Sequence, residues 1–417
     1  MYRYLLFLSF LTIKVGAQKP RQHLIARKSL VNFAWKLKHS TNDTLTIAFL
    51  GGSITAANNG WRDKTFNWLQ QQYPLNKFKQ INAAIGGTGS SLGVYRINEQ
   101  VLKYNPDLLF VEFAVNDFDF SRTSILNSME GIVRKTFAAN NKTDICFVYT
   151  ITENIYNLYK KDSVPVSIKA MEEIAGYYKI PSLNVGVNIT RLLDEKKLFI
   201  KGPQAFSNDS SFFSGDGTHP YPETGHQLYF TTISTALKQL LLQSNINKHI
   251  NVKPYYSDSL QGSGMVDVQP FMLKGNIKPV KYYPGDLGEK FTAGMPNMML
   301  LNDTAQEIFF SFTGNCIGFM DVLAPSSAQL TVLIDNDAPR LINRFDKYCF
   351  YFSRMHWFFI DGLTNSKHLI RIKLSAVQPD KFLLLDKERS TLEKPEEYGK
   401  FIWRVGKILK QVSKGQM

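Results

Sequence analysis

Between residues 44 and 242 short apolar, β-branched runs alternate with stretches whose apolar positions recur every three to four residues. Runs at 44–50, 78–84, 107–113, 144–150 and 180–185 are nearly continuous in apolar side chains, as expected of strands covered on both faces. Stretches 61–72, 92–104, 125–139 and 166–178 carry helical spacing, and 223–242 closes the region. This alternation predicts an α/β fold: a flavodoxin-like parallel sheet with helices on both faces. Such sheets place ligands at the carboxyl ends of their strands, so the loops just after strands are where chemistry is sought.

After about residue 245 the pattern becomes helix-poor. Runs at 307–312, 317–322, 329–334, 348–352, 357–360 and 368–374 are short, β-rich and separated by Gly, Asn, Asp, Pro or Ser, which predicts an antiparallel, jelly-roll-like β-sandwich. Residues 246–293, with Gly262, Gly264, Gly275 and Gly285, read as a linker plus entry strands. The segment 381–410 mixes charge with an apolar alternation at Phe401, Trp403 and Val405 and has no firm assignment from its pattern. The chain carries no internal repeat.

The first residues have a different character. An Arg at position 3, an apolar run over 5–13 and the small residues of Val15-Gly16-Ala17 read as a signal peptide cleaved after Ala17, despite Lys14 close to the cleavage site. That run is too short to span a bilayer, no later segment is long enough, and no Cys follows to accept a lipid. The expected organisation is a signal peptide over 1–17, a catalytic α/β domain over 18–245, and a linker with an accessory sandwich over 246–417. The expected location is outside the cytoplasm, secreted or periplasmic.

Composition agrees with two domains. The 417 residues are 44% hydrophobic and 20% charged, enough for a large core, and exclude a mainly disordered, collagenous or coiled-coil chain. A net charge of +14 admits nucleic acid, an anionic membrane surface or an acidic polymer as partner. The basic residues are interleaved with acidic ones, so a solvated basic surface is the favoured reading, and export without a basic cluster argues against nucleic acid. Three cysteines give no disulfide framework. Cys146 lies in a buried-looking run, and pairing of Cys316 with Cys349 is left open, as is association of chains.

Four short blocks carry candidate chemistry, each at the end of a predicted strand or just before the closing helix. The first, Gly51-Gly52-Ser53-Ile54-Thr55, puts a serine where backbone amides are free to meet a developing oxyanion. Asn82-Ala-Ala-Ile-Gly-Gly-Thr-Gly89 and Val111-Glu-Phe-Ala-Val-Asn116-Asp117 offer a glycine amide and an asparagine side chain at the same sheet edge. In Asp216-Gly217-Thr218-His219-Pro220 a carboxylate three residues before a histidine can hold the imidazole by Nδ1 and leave Nε2 for the serine. Each block alone has an ordinary structural explanation. Their joint presence is harder to explain that way.

In this order the four blocks resemble those of the SGNH (GDSL-type) hydrolases, over roughly residues 44–242. The resemblance implies Ser53 as nucleophile, Gly87 and Asn116 as oxyanion donors beside the Ser53 amide, His219 as base and Asp216 as its orienting acid. It implies no cofactor and no metal, and the sequence has no HExxH, CxxC or acidic calcium loop. The chain departs from the family pattern at Gly52, where the family motif has Asp, and at Ala114, where many members have Gly. Exported members joined to a β-sandwich are carbohydrate esterases, so the implied function is removal of acyl groups, acetyl above all, from polysaccharide or oligosaccharide. A glycan O-acetyltransferase using the same site, a lipase or acylhydrolase acting on lipid esters, and a glycan-binding protein with a dead site are the alternatives.

Several residues compete for attention. Gly89-Ser-Ser-Leu-Gly93 matches the nucleophile elbow of α/β-hydrolases and would make Ser91 the nucleophile, but that fold leaves the Ser53 and Asn116 blocks unexplained. His226 reads as packing or surface, and Asp117 as a loop or helix-start residue. Trp61, Tyr95 and Tyr221 flank the blocks and are read as core or rim, with sugar stacking as the alternative. Tyr351 and Trp357 in the sandwich look exposed and compatible with glycan contact. Asn-x-Ser/Thr sequons occur at Asn42, Asn141, Asn188, Asn208 and Asn302.

Overall fold

The computed structural model describes residues 22–40, 43–204, 212–249, 252–281, 295, 297–350, 353–385, 392 and 395–411. The segment read as a signal peptide, Tyr351, Gly285 and the sequon asparagines 42 and 208 lie outside the described residues. In chain order the first part runs β1 (Leu24–Ile25), α1 (Val31–His39), β2 (Thr44–Gly51), α2 (Ser53–Ala56), α3 (Trp61–Gln72), β3 (Lys77–Asn82) and α4 (Ser90–Gln100). It continues with β4 (Leu108–Glu112), α5 (Arg122–Ala139), β5 (Asp144–Tyr149), α6 (Glu153–Lys160), α7 (Val166–Tyr178), β6 (Ser182–Asn184) and α8 (Gly186–Asp194). The pair β7 (Phe199–Lys201) and β8 (Phe212–Ser214) precedes α9 (Gly225–Leu240).

The sheet order is β1-β6-β5-β4-β2-β3, parallel except for β1, which runs against β6. The five parallel strands therefore have the flavodoxin-like order, reversing direction of growth at β2 between β3 and β4. The apolar runs form strands because both faces are covered: β4 and β5 are buried at every position, and β2 at all but its first. Phe49, Trp61 and Phe110 pack ring against ring under this switch point, Phe49 stacked on Phe110 at 5.1 Å.

The second part is an antiparallel sandwich. Its strands are β9 (Gly264–Asp267), β10 (Leu273–Lys274), β11 (Pro279–Lys281), β12 (Asn297–Leu301), β13 (Glu307–Gly314), β14 (Ile317–Leu323), β15 (Gln329–Ile334), β16 (Arg340–Asn343), β17 (Arg354–Ile360), β18 (Ser366–Leu374) and β19 (Trp403–Lys410). One sheet has the order β10-β13-β18-β15-β16; the other is β11-β12-β19-β14-β17, with β9 also pairing β19. The alternation around Phe401, Trp403 and Val405 resolves into β19, a central strand.

Of the strand expected over 348–352, the described residues 348–350 are not extended. Lys347–Phe350 forms a 3₁₀ turn, because Asp346 accepts the Tyr348 amide on its side chain (2.9 Å) and the Cys349 amide on its carbonyl (3.0 Å). Cys349 is thereby tucked into a small cluster with Leu323, Phe345, Leu385 and Tyr398. The strand of this region is β16, an exposed edge strand whose polar positions gave no alternation to read. All three thiols are free.

The inner sheet of the sandwich is covered twice. Along β14, Ile317 and Phe319 face the sandwich core while Met320 and Val322 join the core of the α/β part; along β17, Phe358 and Ile360 do the former and Met355 the latter. Trp357 and Phe359 pack on that same α/β core, and Phe359 meets Tyr95 of α4 at 5.3 Å between rings. Trp357 is thus half-buried at the interface and stacked on His356, not presented to solvent as its sequence setting suggested. Polar ties reinforce the contact. Lys407 of β19 bridges Glu99 (3.1 Å) and Asp267 (2.9 Å), and the buried Lys135 ammonium donates to the Val94 carbonyl (2.6 Å) and the Ser263 hydroxyl (2.9 Å). The buried Glu130 carboxylate fixes the connecting segment by accepting the Tyr256 (2.8 Å) and Ser257 (2.7 Å) amides, with that of Tyr255.

Candidate functional site

The switch point brings the four blocks to one place. β2 ends at Gly51, and Ser53 opens the single turn α2, so its side chain stands at the carboxyl edge of the sheet. The block after β3 is tied to this turn by two amides, Ala83 to the Phe49 carbonyl (2.9 Å) and Ile85 to that of Gly51 (3.0 Å). Gly86 lies directly against Ser53: a Cβ built on it would come 3.6 Å from that of Ser53. Gly87 follows with φ of +73°, a left-handed conformation with open space around its Cα.

Asn116, after β4, reaches the turn from the other side. A Cβ at Gly52 would fall 1.9 Å from the Asn116 Oδ1, so the asparagine amide occupies the space a side chain at 52 would need.

His219 comes from the loop between β8 and α9. Its Nε2 lies 2.9 Å from Ser53 Oγ and its Nδ1 2.6 Å from Asp216 Oδ2. The other oxygen of Asp216 accepts the Thr218 and His219 amides, each at 2.8 Å. This fold-back needs Gly217, whose φ of +82° places it where L side chains are strained. Partial burial alone would raise the Asp216 pKa, but the bonds from the His219 ring and the two amides outweigh it and hold the carboxyl below its ordinary value. A carboxylate kept ionised against Nδ1 favours the tautomer whose Nε2 lone pair faces the serine. Both side chains are 54% exposed, so the site is open to solvent.

The competing residues settle into structural places. The Ser91 hydroxyl is buried on α4 with no hydrogen-bond partner among the described residues. His226 is buried, its Nδ1 accepting the first amide of α3 from Trp61 (3.2 Å), and burial lowers its pKa to about 4. Asp117 is a helix-start residue: its Oδ1 accepts the Ser90 amide at the head of α4 (2.9 Å), and burial raises its pKa to about 7. Trp61 and Tyr95 are core, and Tyr221 spends its hydroxyl on the Gly202 carbonyl (2.8 Å). Among the described residues no cluster of three His, Cys, Asp or Glu has metal-binding geometry, and no helix is long and apolar enough to cross a membrane.

Two charged residues beside the turn escaped the sequence reading. Glu112 ends β4 and accepts the Thr55 (2.8 Å) and Thr150 (2.7 Å) hydroxyls. Arg96 on α4 donates to the Gly51 carbonyl (3.1 Å) and to that of Ala83. The signal available was a charge inside an apolar run, as in Leu108-Leu-Phe-Val-Glu112.

Comparison with known proteins agrees with this geometry. Residues 49–228 match the GDSL-like Lipase/Acylhydrolase family. No curated protein matches the chain in sequence. Among solved structures, a two-domain esterase (CEX) active on acetylated mannans, co-crystallized with mannopentaose, superimposes with a TM-score of 0.72 at 18% identity over 95% of this chain and 98% of that one. A second structure of a two-domain esterase of that description gives 0.72 at 19% identity over 94% and 98%. At such identity the likeness shows a common two-domain fold. Over residues 49–228, where the four blocks meet, the chain is thus similar to the GDSL-like lipase/acylhydrolase family.

Proposed function

We propose that the chain is an exported carbohydrate esterase that removes acetyl groups from polysaccharide or oligosaccharide with Ser53, His219 and Asp216. The observation that carries this reading is the hydrogen-bonded series from Ser53 Oγ through His219 to Asp216 at the sheet's switch point. Ser53 Oγ attacks the ester carbonyl while His219 Nε2 takes its proton. The negative oxygen of the tetrahedral intermediate is met by the amides of Ser53 and Gly87 and the side chain of Asn116. Collapse breaks the ester bond, and the leaving sugar hydroxyl takes the proton from His219. Water, deprotonated by His219, then attacks the acyl-enzyme and releases acetate and free Ser53.

Two features support a carbohydrate substrate. The half-exposed His219 and Asp216 leave the site open enough for a polymer, and the full-length likeness is to an esterase active on acetylated mannans. The apolar run at residues 5–13 supports export, which amino-terminal sequencing of the mature protein would check. The central test is acetate release from acetylated mannan, xylan and pectin by wild type, Ser53→Ala and Ser91→Ala. The expected result is release by wild type and Ser91→Ala, with a loss of about 10⁴-fold or more in Ser53→Ala. An active Ser53→Ala protein removes the assignment. Acetyl transfer to a second glycan in place of acetate release would make the enzyme a transferase.

A further inference from the structure

Glycines at 51 and 52 give the chain before Ser53 unusual freedom, yet the nucleophile must be aimed. Gly51 permits close packing, since a Cβ there would lie 2.6 Å from Thr55 Oγ1, and Gly52 makes room for Asn116. Neither side chain can restrict the turn. The restriction has to come from what the turn's carbonyl and hydroxyl groups touch.

The Gly51 carbonyl and the Gly52 amide belong to one peptide unit. Its oxygen accepts from the Arg96 guanidinium at 3.1 Å, and further along the same turn the Thr55 hydroxyl donates to the Glu112 carboxylate at 2.8 Å. Both charged side chains are fully buried, 0% exposed. Arg96 makes its other bonds to the Ala83 carbonyl, the Thr88 hydroxyl (3.4 Å) and the Gln100 side chain (2.7 Å), with no carboxylate among them. Glu112 has no cation among its bonds either, only the Thr55 and Thr150 hydroxyls. Burial lowers the Arg96 pKa to about 9 and raises that of Glu112, both marks of charge held in a poor solvent. An apolar pair of similar volume would fill this space without that penalty.

We propose that Arg96 and Glu112 are positioning residues that clamp the turn at two points, Arg96 at the Gly51 carbonyl before Ser53 and Glu112 at the Thr55 hydroxyl after it, and so fix the direction of the Ser53 amide and hydroxyl. The inference rests on Ser53 being the nucleophile. Glu112 also ties the turn to Thr150 at the end of β5, and Arg96 ties it to the block that carries Gly87 through the Ala83 carbonyl. The clamp thereby sets three of the blocks in one frame.

The test uses the full-length enzyme, p-nitrophenyl acetate, and active sites counted with a fluorophosphonate. In Glu112→Gln an amide replaces one acceptor, and kcat per counted site is expected to fall by about tenfold or more with KM within about twofold. Affinity for a phenylboronic acid, which forms a tetrahedral anion on serine, should fall in parallel, a change that general loosening of the fold would not confine to kcat. Should Glu112→Gln fail to fold, Thr150→Val removes one bond to Glu112 at nearly constant volume and should lower kcat by about threefold, again with KM unchanged. Wild-type kcat per site in a folded Glu112→Gln, or in Thr150→Val if that variant is the one measured, overturns the clamp. Turnover surviving in Ser53→Ala overturns the nucleophile assignment and the clamp together, whereas turnover lost there and unchanged in Glu112→Gln overturns the clamp alone.

Discussion

The turns at the edge of the α/β sheet and the inner sheet of the sandwich solve opposite problems. At the edge, small residues clear space and a few polar groups are brought to bear on Ser53; the Asn116 amide occupies the space beside Gly52. In the inner sheet every residue of β14 is buried, and its two faces serve two cores. One region is built for exposure of chemistry, the other for adhesion. Helix α4 connects them: Tyr95 packs on Phe359 of the sandwich, and the next residue, Arg96, reaches the Gly51 carbonyl. The accessory domain therefore backs the helix that supports the site, a structural role visible without any bound glycan.

This contrast is broken most severely by changing Asp216. Both of its oxygens accept hydrogen bonds from N–H groups, which an asparagine amide cannot reproduce. In Asp216→Asn the imidazole is expected to present Nε2–H to Ser53, and kcat should fall by about 10³–10⁴-fold. Because the side chain is half-exposed, the melting temperature should move little. A large thermal shift with modest loss of rate would mean that the loop is structural first.

The complementary change belongs to the inner sheet. Met320→Asp places an unpaired charge where the two parts of the molecule meet and should destabilise by about 3 kcal/mol or more. If the interface is one continuous core, the variant melts in a single transition and retains wild-type kcat per folded molecule. Two separate transitions would show that the sandwich folds independently of its neighbour.

The same contrast explains what could be read in the chain. Helices α3 and α7 begin and end where their periodicity does, and the four blocks lie where strand-end chemistry required. The turn over Lys347–Phe350 was missed because aromatic β-propensity is local, while the bonds to Asp346 that override it depend on a neighbour's side chain. Helices α1, α6 and α8 were also missed; α6 and α8 are short, and their polar faces look like loops. Arg96 was hidden because it serves the Ala83 and Gly51 carbonyls, and Glu112 because its partners are hydroxyls from two segments distant in sequence, which no local pattern announces. The double burial of β14 was written in its apolar sequence, but an apolar strand does not say whether its second cover is a helix, a sheet or another domain.

The smallest expected effect tests two buried groups near the site, both neutral in mid-range pH for opposite reasons. Asp117 has an ordinary pKa of 3.8 raised to about 7 by burial, so the folded chain keeps a proton the unfolded chain loses above about pH 4. Its contribution to stability is present below pH 4 and is lost as pH rises towards 7. His226, lowered from 6.5 to about 4 by burial, behaves in the reverse sense: the unfolded chain takes a proton first, and stability is lost as pH falls from about 6.5 to 4. The two slopes offset each other in wild type. Relative to wild type, Asp117→Asn, which keeps an acceptor for the Ser90 amide, should gain thermal stability as pH rises from 4 to 7. His226→Asn, which keeps an acceptor for the Trp61 amide, should lose it over the same range. Melting temperatures of the three proteins at half-unit pH steps check this, and difference curves of the same sign would show that one of the two groups titrates in solvent and not in the buried frame described for it.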